Sequence, residues 1–328
     1  MKAKLCRPGL GRGLLLGLCM GASTLQAQTA LSPMDTCLLE KIRQAEAGDS
    51  VGALKAACQT EIPSREQTPA QQSPRSLEAE RKTRFSPFVM SPHKQNYVLL
   101  ASYNRSPNFE IYNIPASDFD RVEMKFQFSF KMPVVENLLG TGADLYAAYT
   151  NLSFWQAYNR QISSPFRETV HEPEMFLSIP TDWSLLGWKT PRVQLGAVHQ
   201  SNGQGGYLSR SWNRFYADFI FEKDNFLVSV KPWYRVPESN DDNPDISHFM
   251  GRYELTGLYK HGDQAFSLMT RNLLKGDGLT TFQLDWSFPL YQRWRGYVQY
   301  FKGYGESLVD YDARSNRLGF GVQLTDWL

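Results

Sequence analysis

The sequence predicts an all-β protein: a twelve-stranded antiparallel transmembrane β-barrel with a short helical N-terminal segment. A soluble sandwich is the alternative that periodicity alone leaves open. Three observations point this way. Apolar and polar residues alternate with a period of two from Phe85 onward. Aromatics are abundant, with 20 Phe, 16 Tyr and 8 Trp making 13% of 328 residues, while charged residues make 21%. The chain opens on an export signal. Lys and Arg (35) nearly balance Asp and Glu (33), which excludes the basic surplus expected of a nucleic-acid binder. Mean hydropathy is −0.42, and only the extreme N-terminus is continuously apolar, which excludes a polytopic helical membrane protein.

The first element is the signal, residues 1–27. Lys2, Lys4, Arg7 and Arg12 precede the apolar stretch Gly13–Met20, which is too short to cross a bilayer. Cleavage is expected after Ala27, with Ala30 as the alternative. The bulk of Leu18 argues against lipoprotein processing at Cys19. Losing the signal removes four positive charges, so the mature chain carries 31 against 33.

Residues 28–84 form the second element. Leu38, Leu39, Ile42 and Ala45 share a helical face, Gly48-Asp49 breaks it, and Val51, Leu54 and Ala57 resume it. Cys37 and Cys58 are the cysteines left after export, and a disulfide stapling this helical hairpin is expected in an oxidising compartment, two free thiols being the alternative. Residues 59–84, rich in Gln, Ser, Pro, Arg and Glu, read as a solvated linker.

The third element, residues 85–328, reads as strands. Val122, Met124, Phe126, Phe128 and Phe130 oppose Glu123, Lys125, Gln127 and Ser129. Phe215, Ala217, Phe219 and Phe221 oppose Arg214, Tyr216 and Asp218, and Leu318, Phe320, Val322 and Leu324 oppose Arg317, Gly319, Gly321 and Gln323. Turns are expected at 222–225 and 261–264. About twelve such segments fit from residue 95, at roughly 20 residues per strand and connection, which suits transmembrane strands with short turns on one side and longer loops on the other. Trp155, Tyr158, Trp233, Tyr234, Trp286, Tyr291 and Trp294 are expected to form interfacial girdles, and the last alternating strand to close the sheet. Inward Arg214, Asp218, Lys125 and Glu123 could plug the lumen with ion pairs.

The stretch from His199 to Arg214 carries the chemistry. Val193, Leu195 and Ala197 share a face that His199 and Ser201 continue, and Asn213 shares the face of Phe215 and Ala217. His199 and Ser201 then project the same way about 7 Å apart. A turn centred near Gly206 would set Asn213 opposite His199. A hydroxyl, an imidazole and a side-chain carbonyl in a row are the parts of a serine hydrolase. Asn stabilises an imidazolium less than Asp does, so extra help at the oxyanion is expected, with Gly203 and a bound cation as candidates. The other reading is the wet edge of a sheet. Residues 241–245 read as a turn, with a cation site as the alternative, and His171, His248 and His261 as exposed residues without ligand spacing.

At these residues the chain resembles the bacterial outer membrane phospholipase A family. The resemblance rests on His199-x-Ser201-Asn202-Gly203 and on the run Ser209 to Arg214. Supporting matches are the runs Ser163–Thr169, Val230–Tyr234, Asp241–Ile246 and Gly303–Leu308, all in family order. The resemblance implies a twelve-stranded barrel in the bacterial outer membrane, with the active site at the outer leaflet and the N-terminal segment periplasmic. It implies calcium-dependent hydrolysis of sn-1 and sn-2 esters of phospholipids and lysophospholipids. By position, Ser201 is implied as nucleophile, His199 as base, Asn213 as orienting residue and Gly203 as oxyanion amide. Calcium (Ca2+) is implied to sit between Ser209, the Gln204 carbonyl and Ser163 of a second copy, and Asn151 falls at the family's dimer face. The family's usual Arg is replaced by Gln204, a backbone ligand, and an acidic residue of a second calcium site falls on Gly206. Mostly neutral oxygens bind calcium weakly, so a site completed only in the homodimer would leave the monomer idle. Two other readings stay open: a catalytically silent barrel or narrow pore, and a soluble secreted esterase.

Overall fold

The computed structural model describes residues 33–44, 50–52, 55, 57–58, 90–112, 115–274, 276, 278–291 and 294–325. The expected signal, its cleavage site and the linker lie outside the described residues. The chain divides into two compact units, residues 1–70 and 71–328.

In the first unit, α1 (Pro33–Gln44) begins on a proline, whose missing N–H costs nothing in a first helical turn, and ends with Lys41 and Arg43 near the negative end of the helix dipole. Residues 51–52, 55 and 57–58 are helical as well, and the expected break at Gly48-Asp49 lies outside the described residues. Cys37 and Cys58 are joined as a disulfide. A link closing that span is worth about 3 kcal/mol in the chain-entropy account.

The second unit is a closed antiparallel sheet. Its strands are β1 (Ser91–Pro92), β2 (Asn96–Asn104), β3 (Val122–Val135), β4 (Asp144–Trp155), β5 (Phe166–Leu185), β6 (Trp188–Ser201) and β7 (Ser211–Lys223). They continue as β8 (Phe226–Val236), β9 (Tyr253–His261), β10 (Gln264–Arg271), β11 (Thr281–Tyr291), β12 (Trp294–Tyr304) and β13 (Arg314–Thr325), with a short helix α2 (Ile246–Met250) between β8 and β9. The two-residue β1 pairs with β3 beside the start of β2, so twelve long strands make the barrel. Closure comes where β13 pairs with both β12 and β2. The links at 186–187, 224–225 and 262–263 are two residues long, while those at 105–121, 202–210, 237–252 and 305–313 are long and share the opposite end.

Sidedness decides between barrel and sandwich. Leu195, Phe215 and Phe320 are 44%, 58% and 51% exposed, whereas Glu123, Lys125 and Arg317 are 2%, 1% and 2% exposed. A soluble sandwich would bury the apolar face instead. A dozen such side chains left in water would forgo roughly 20–35 kcal/mol, more than the stability of a typical domain. The outer face therefore belongs in lipid. Inside, the charges satisfy one another: Arg167 and Arg317 meet Glu123 at 3.0 and 2.8 Å, and Lys125 meets Glu306 at 3.0 Å. Asp218 accepts from Ser229, and Arg214 lies 4.0 Å from Glu172. At the long-loop end Ile246, Met250 and Leu308 are buried against Trp212, Trp233 and Tyr216, so α2 and the 305–313 loop close the barrel mouth.

One expected girdle residue is elsewhere. Trp233 is buried inside, edge-on to Trp212, with its indole N–H donating to Gly251 O. It shares the inward parity of Ser229 and Lys231, so proximity to a strand end misled the sequence reading. Tyr158, Tyr234, Trp286, Tyr291 and Trp294 are exposed as expected, and Trp155 is half-buried against Phe166.

Candidate active site

β6 and β7 pair with His199 directly opposite Asn213 and Ser201 opposite Ser211, around a connection centred on Gly206. The alternation of burial puts Val198, Trp212 and Tyr216 inside. His199, Ser201 and Asn213 therefore share the outer face with Leu195, Ala197 and Phe215. His199 Nδ1 and Asn213 Oδ1 are 2.9 Å apart. The other end of that carboxamide is also held: Asn213 Nδ2 donates to Glu238 Oε1 at 3.0 Å. Ser201 lies two residues from His199 on the same face, yet the imidazole is bonded to Asn213 and not to the serine hydroxyl. Such bonds often tighten only when substrate is bound.

The inner face of the same strands fixes their register. Gln200 Oε1 accepts from the fully buried Trp212 indole at 2.7 Å and from Arg214 at 3.2 Å, and Gln200 Nε2 donates to Glu172. Arg214 stacks 3.9 Å above the Trp212 ring.

The 202–210 loop is organised by one residue that the sequence reading quoted but gave no role. Asn202 is buried, its Oδ1 accepts from the amides of Gln204 and Arg210, and its Nδ2 donates to Leu208 O. Gly203 follows at φ +65°, a left-handed conformation that costs a side-chain-bearing residue about 1–2 kcal/mol. Gly203 and Gln204 are exposed on this loop.

The remaining expected residues divide. Ser209, on the same loop, donates to Asp242 Oδ2 at 2.5 Å. Asp242 belongs to the segment expected as a turn, for which a cation site is the alternative. The 241–245 segment is a turn: Arg235 grips both Asp241 oxygens at 2.6 Å, and the buried Asn243 accepts the Ser211 amide. Ser163 sits exposed at φ +60° on the 156–165 loop, a different hairpin, without a hydrogen bond to Ser209 or Gln204. Among the described residues no three His, Cys, Asp or Glu side chains gather as a metal cluster. The expected donors are instead two hydroxyls and a carbonyl, all hard oxygens suited to calcium, and the Asp242 carboxylate beside Ser209 adds a charged one.

Sequence reasoning also missed a neighbour of Ser201. His171 on β5 pairs directly with Ser201, and Asn151 on β4 pairs with His171. An outward polar row, Asn151–His171–Ser201–Ser211, thus crosses four strands. His171 is half-buried, with Nδ1 2.6 Å from Tyr149 Oη, and not simply exposed; His248 and His261 are exposed as expected. Counting back from the 186–187 turn would have aligned His171 with residue 202. A register shift between Pro180 and Trp183 moves it to 201.

The family described as Phospholipase A1 matches residues 74–324. A phospholipase A1 of Escherichia coli (strain K12) is 40% identical over 246 residues, covering 74% of this chain and 83% of its own. The outer membrane phospholipase A structure from Escherichia coli superposes with a TM-score of 0.70 at 39% identity, covering 74% of this chain and 95% of that one. The Salmonella typhi outer membrane phospholipase, a dimer with bound calcium, gives the same TM-score and identity over 74% and 94%. The disulfide-bearing segment precedes the matched residues.

Proposed function

The chain belongs to the phospholipase A1 family of phospholipid ester hydrolases, and from that premise we propose that Ser201, His199 and Asn213 are its catalytic triad, working on the lipid-facing wall of an outer membrane β-barrel. The observation that carries the reading is the 2.9 Å contact of His199 Nδ1 with Asn213 Oδ1, on the outer face, with Ser201 one pleat away. Polar groups on such a wall are costly unless hydrogen-bonded, so a cluster of them there points to function.

The reaction runs in two halves. Ser201 Oγ attacks the ester carbonyl, and its proton passes to His199 Nε2. The tetrahedral intermediate collapses, the C–O bond to glycerol breaks, and His199 returns the proton to the leaving alkoxide. Water then attacks the acyl-serine with His199 again as base, releasing fatty acid and restoring the serine hydroxyl. Asn213 accepts from Nδ1–H and keeps the ring turned toward Ser201. The Gly203 amide is assigned to the oxyanion.

Calcium would be held by the Ser209 hydroxyl, the Gln204 carbonyl and the Ser163 hydroxyl of a second copy, with Asp242 adjoining. When bound it supplies positive charge near the developing oxyanion, the help that an Asn-containing triad needs. Ser163 and Ser209 lie on different hairpins, which supports a site completed between two copies. Asn151, in the outward polar row, is assigned to that dimer face. Both sn-1 and sn-2 esters and lysophospholipids are the proposed substrates. The active site belongs to the outer leaflet, because it lies at the long-loop end, and the disulfide-bearing segment to the periplasm. The test is labelling by a sulfonyl fluoride in detergent: adduct mass on the peptide holding Ser201 supports the reading, and modification at another serine with loss of turnover overturns it.

A further inference from the structure

We infer that Glu238 is a positioning residue for this hydrolysis: it locks the Asn213 carboxamide in the one orientation that makes His199 a base. The inference rests on the triad reading above and adds a fourth member to it.

The argument starts from an ambiguity peculiar to asparagine. Both oxygens of an aspartate accept, so an Asp partner always selects the Nδ1–H tautomer of its histidine. A carboxamide has one accepting edge and one donating edge, and a half-turn exchanges them. If the NH2 edge faced His199 Nδ1, that nitrogen would have to accept. The ring proton would then sit on Nε2, where it blocks proton uptake from Ser201. An Asn-containing triad therefore needs a third group to choose the edge.

Glu238 is placed to choose it. Asn213 Nδ2 lies 3.0 Å from Glu238 Oε1, and a carboxylate only accepts, so the NH2 edge must point there. Oδ1 is left facing His199 Nδ1 at 2.9 Å, which must then carry the proton. Nε2 keeps its lone pair. Glu238 reaches this position from an anchored frame: Val236, two residues before it, is the cross-strand neighbour of Asn213. Arg235 clamps Asp241, and Asn243 takes the Ser211 amide, so both ends of the segment are tied down. The carboxylate also sets a negative charge two hydrogen bonds from the imidazolium, part of what Asp would have supplied directly.

The experiment uses the detergent-purified full-length protein on a diacyl phosphatidylcholine in mixed micelles, over a calcium titration, with heat-modifiable gel mobility as the folding control. Glu238→Ala is expected to lower kcat about tenfold, with KM and the calcium midpoint unchanged. Glu238→Gln, whose carbonyl can still accept from Nδ2, is expected to recover most of that loss. In an Asn213→Ala background Glu238→Ala should have no further effect, because its action passes through that residue. Wild-type kcat in Glu238→Ala overturns the inference. So does an equal loss in the Asn213→Ala background, which would make the role merely structural. A shifted calcium midpoint with full kcat at saturation would move Glu238 to the ion site and overturn it too. If Ser201→Ala and His199→Ala keep turnover, the triad reading itself fails; if they are dead and Glu238→Ala is normal, only the fourth member falls.

Discussion

His199 and Asn213 are direct cross-strand partners on the outer wall of the barrel, 2.9 Å apart at Nδ1 and Oδ1. In the proposed triad this pair orients a base and transfers no proton to the amide, so its two sides should respond differently to mutation. Asn213→Ala should leave weak hydrolysis, down roughly 10- to 100-fold. Ser201→Ala should fall to background, because the proposed nucleophile itself is gone. Both should keep the heat-modifiable mobility of the folded barrel. Equal residual rates in the two variants would count against the roles assigned here.

Calcium removal should separate activity from folding. The proposed donors sit on exposed loops outside the strand ladder, while the barrel is held by its own hydrogen bonds and interior ion pairs. Chelation is therefore expected to stop fatty-acid release with gel mobility unchanged. Ser209→Ala and Asp242→Asn should each raise the calcium needed for half-maximal rate. Turnover that persists in excess chelator would remove calcium from the mechanism.

Gly203→Ala tests the loop's backbone conformation without crowding. A Cβ built at this position would meet only His171 Cδ2 at 3.9 Å, an ordinary contact, so space is available. The φ of +65° is the obstacle. About 1–2 kcal/mol of strain is expected to shift the loop and lower kcat, with barrel stability untouched. A variant with normal kcat would show that this amide does not serve the oxyanion.

Period two made much of this legible in advance. Alternation along residues 122–130 and 317–324 gave the strands and their two faces, and a turn centred on Gly206 was enough to align His199 with Asn213. Trp233 was legible too, since parity with Ser229 and Lys231 turns it inward, but its place near a strand end was read instead. The adjacency of His171 and Ser201 was not legible, because a bulge between Pro180 and Trp183 shifts the register by one residue. Glu238 and Asp242 lie on the 237–252 connection, where no periodicity exists and contacts are set by the Arg235–Asp241 clamp and Asn243.

The lumen predicts the barrel's response to acid. Glu306, on the 305–313 loop, reaches in to Lys125 at 3.0 Å and Arg317 at 2.8 Å. Burial pushes its carboxyl up, but the Arg317 guanidinium and the Lys125 ammonium outweigh that and hold it down at about 2. A folded-state value below the unfolded one means that this group's stabilisation is fully present above the unfolded carboxylate range, near pH 4.5. It is lost as pH falls toward about 2, and amounts to a few kcal/mol. Glu306→Gln leaves Arg317 and Lys125 short of a counter-charge, so it should lower the unfolding temperature already at pH 7. Its stability curve between pH 5 and 2 should be flatter than that of the parent protein. Thermal unfolding followed by gel mobility across that range decides it: parallel curves for the two proteins would mean that the lumen's acid sensitivity resides in other carboxylates.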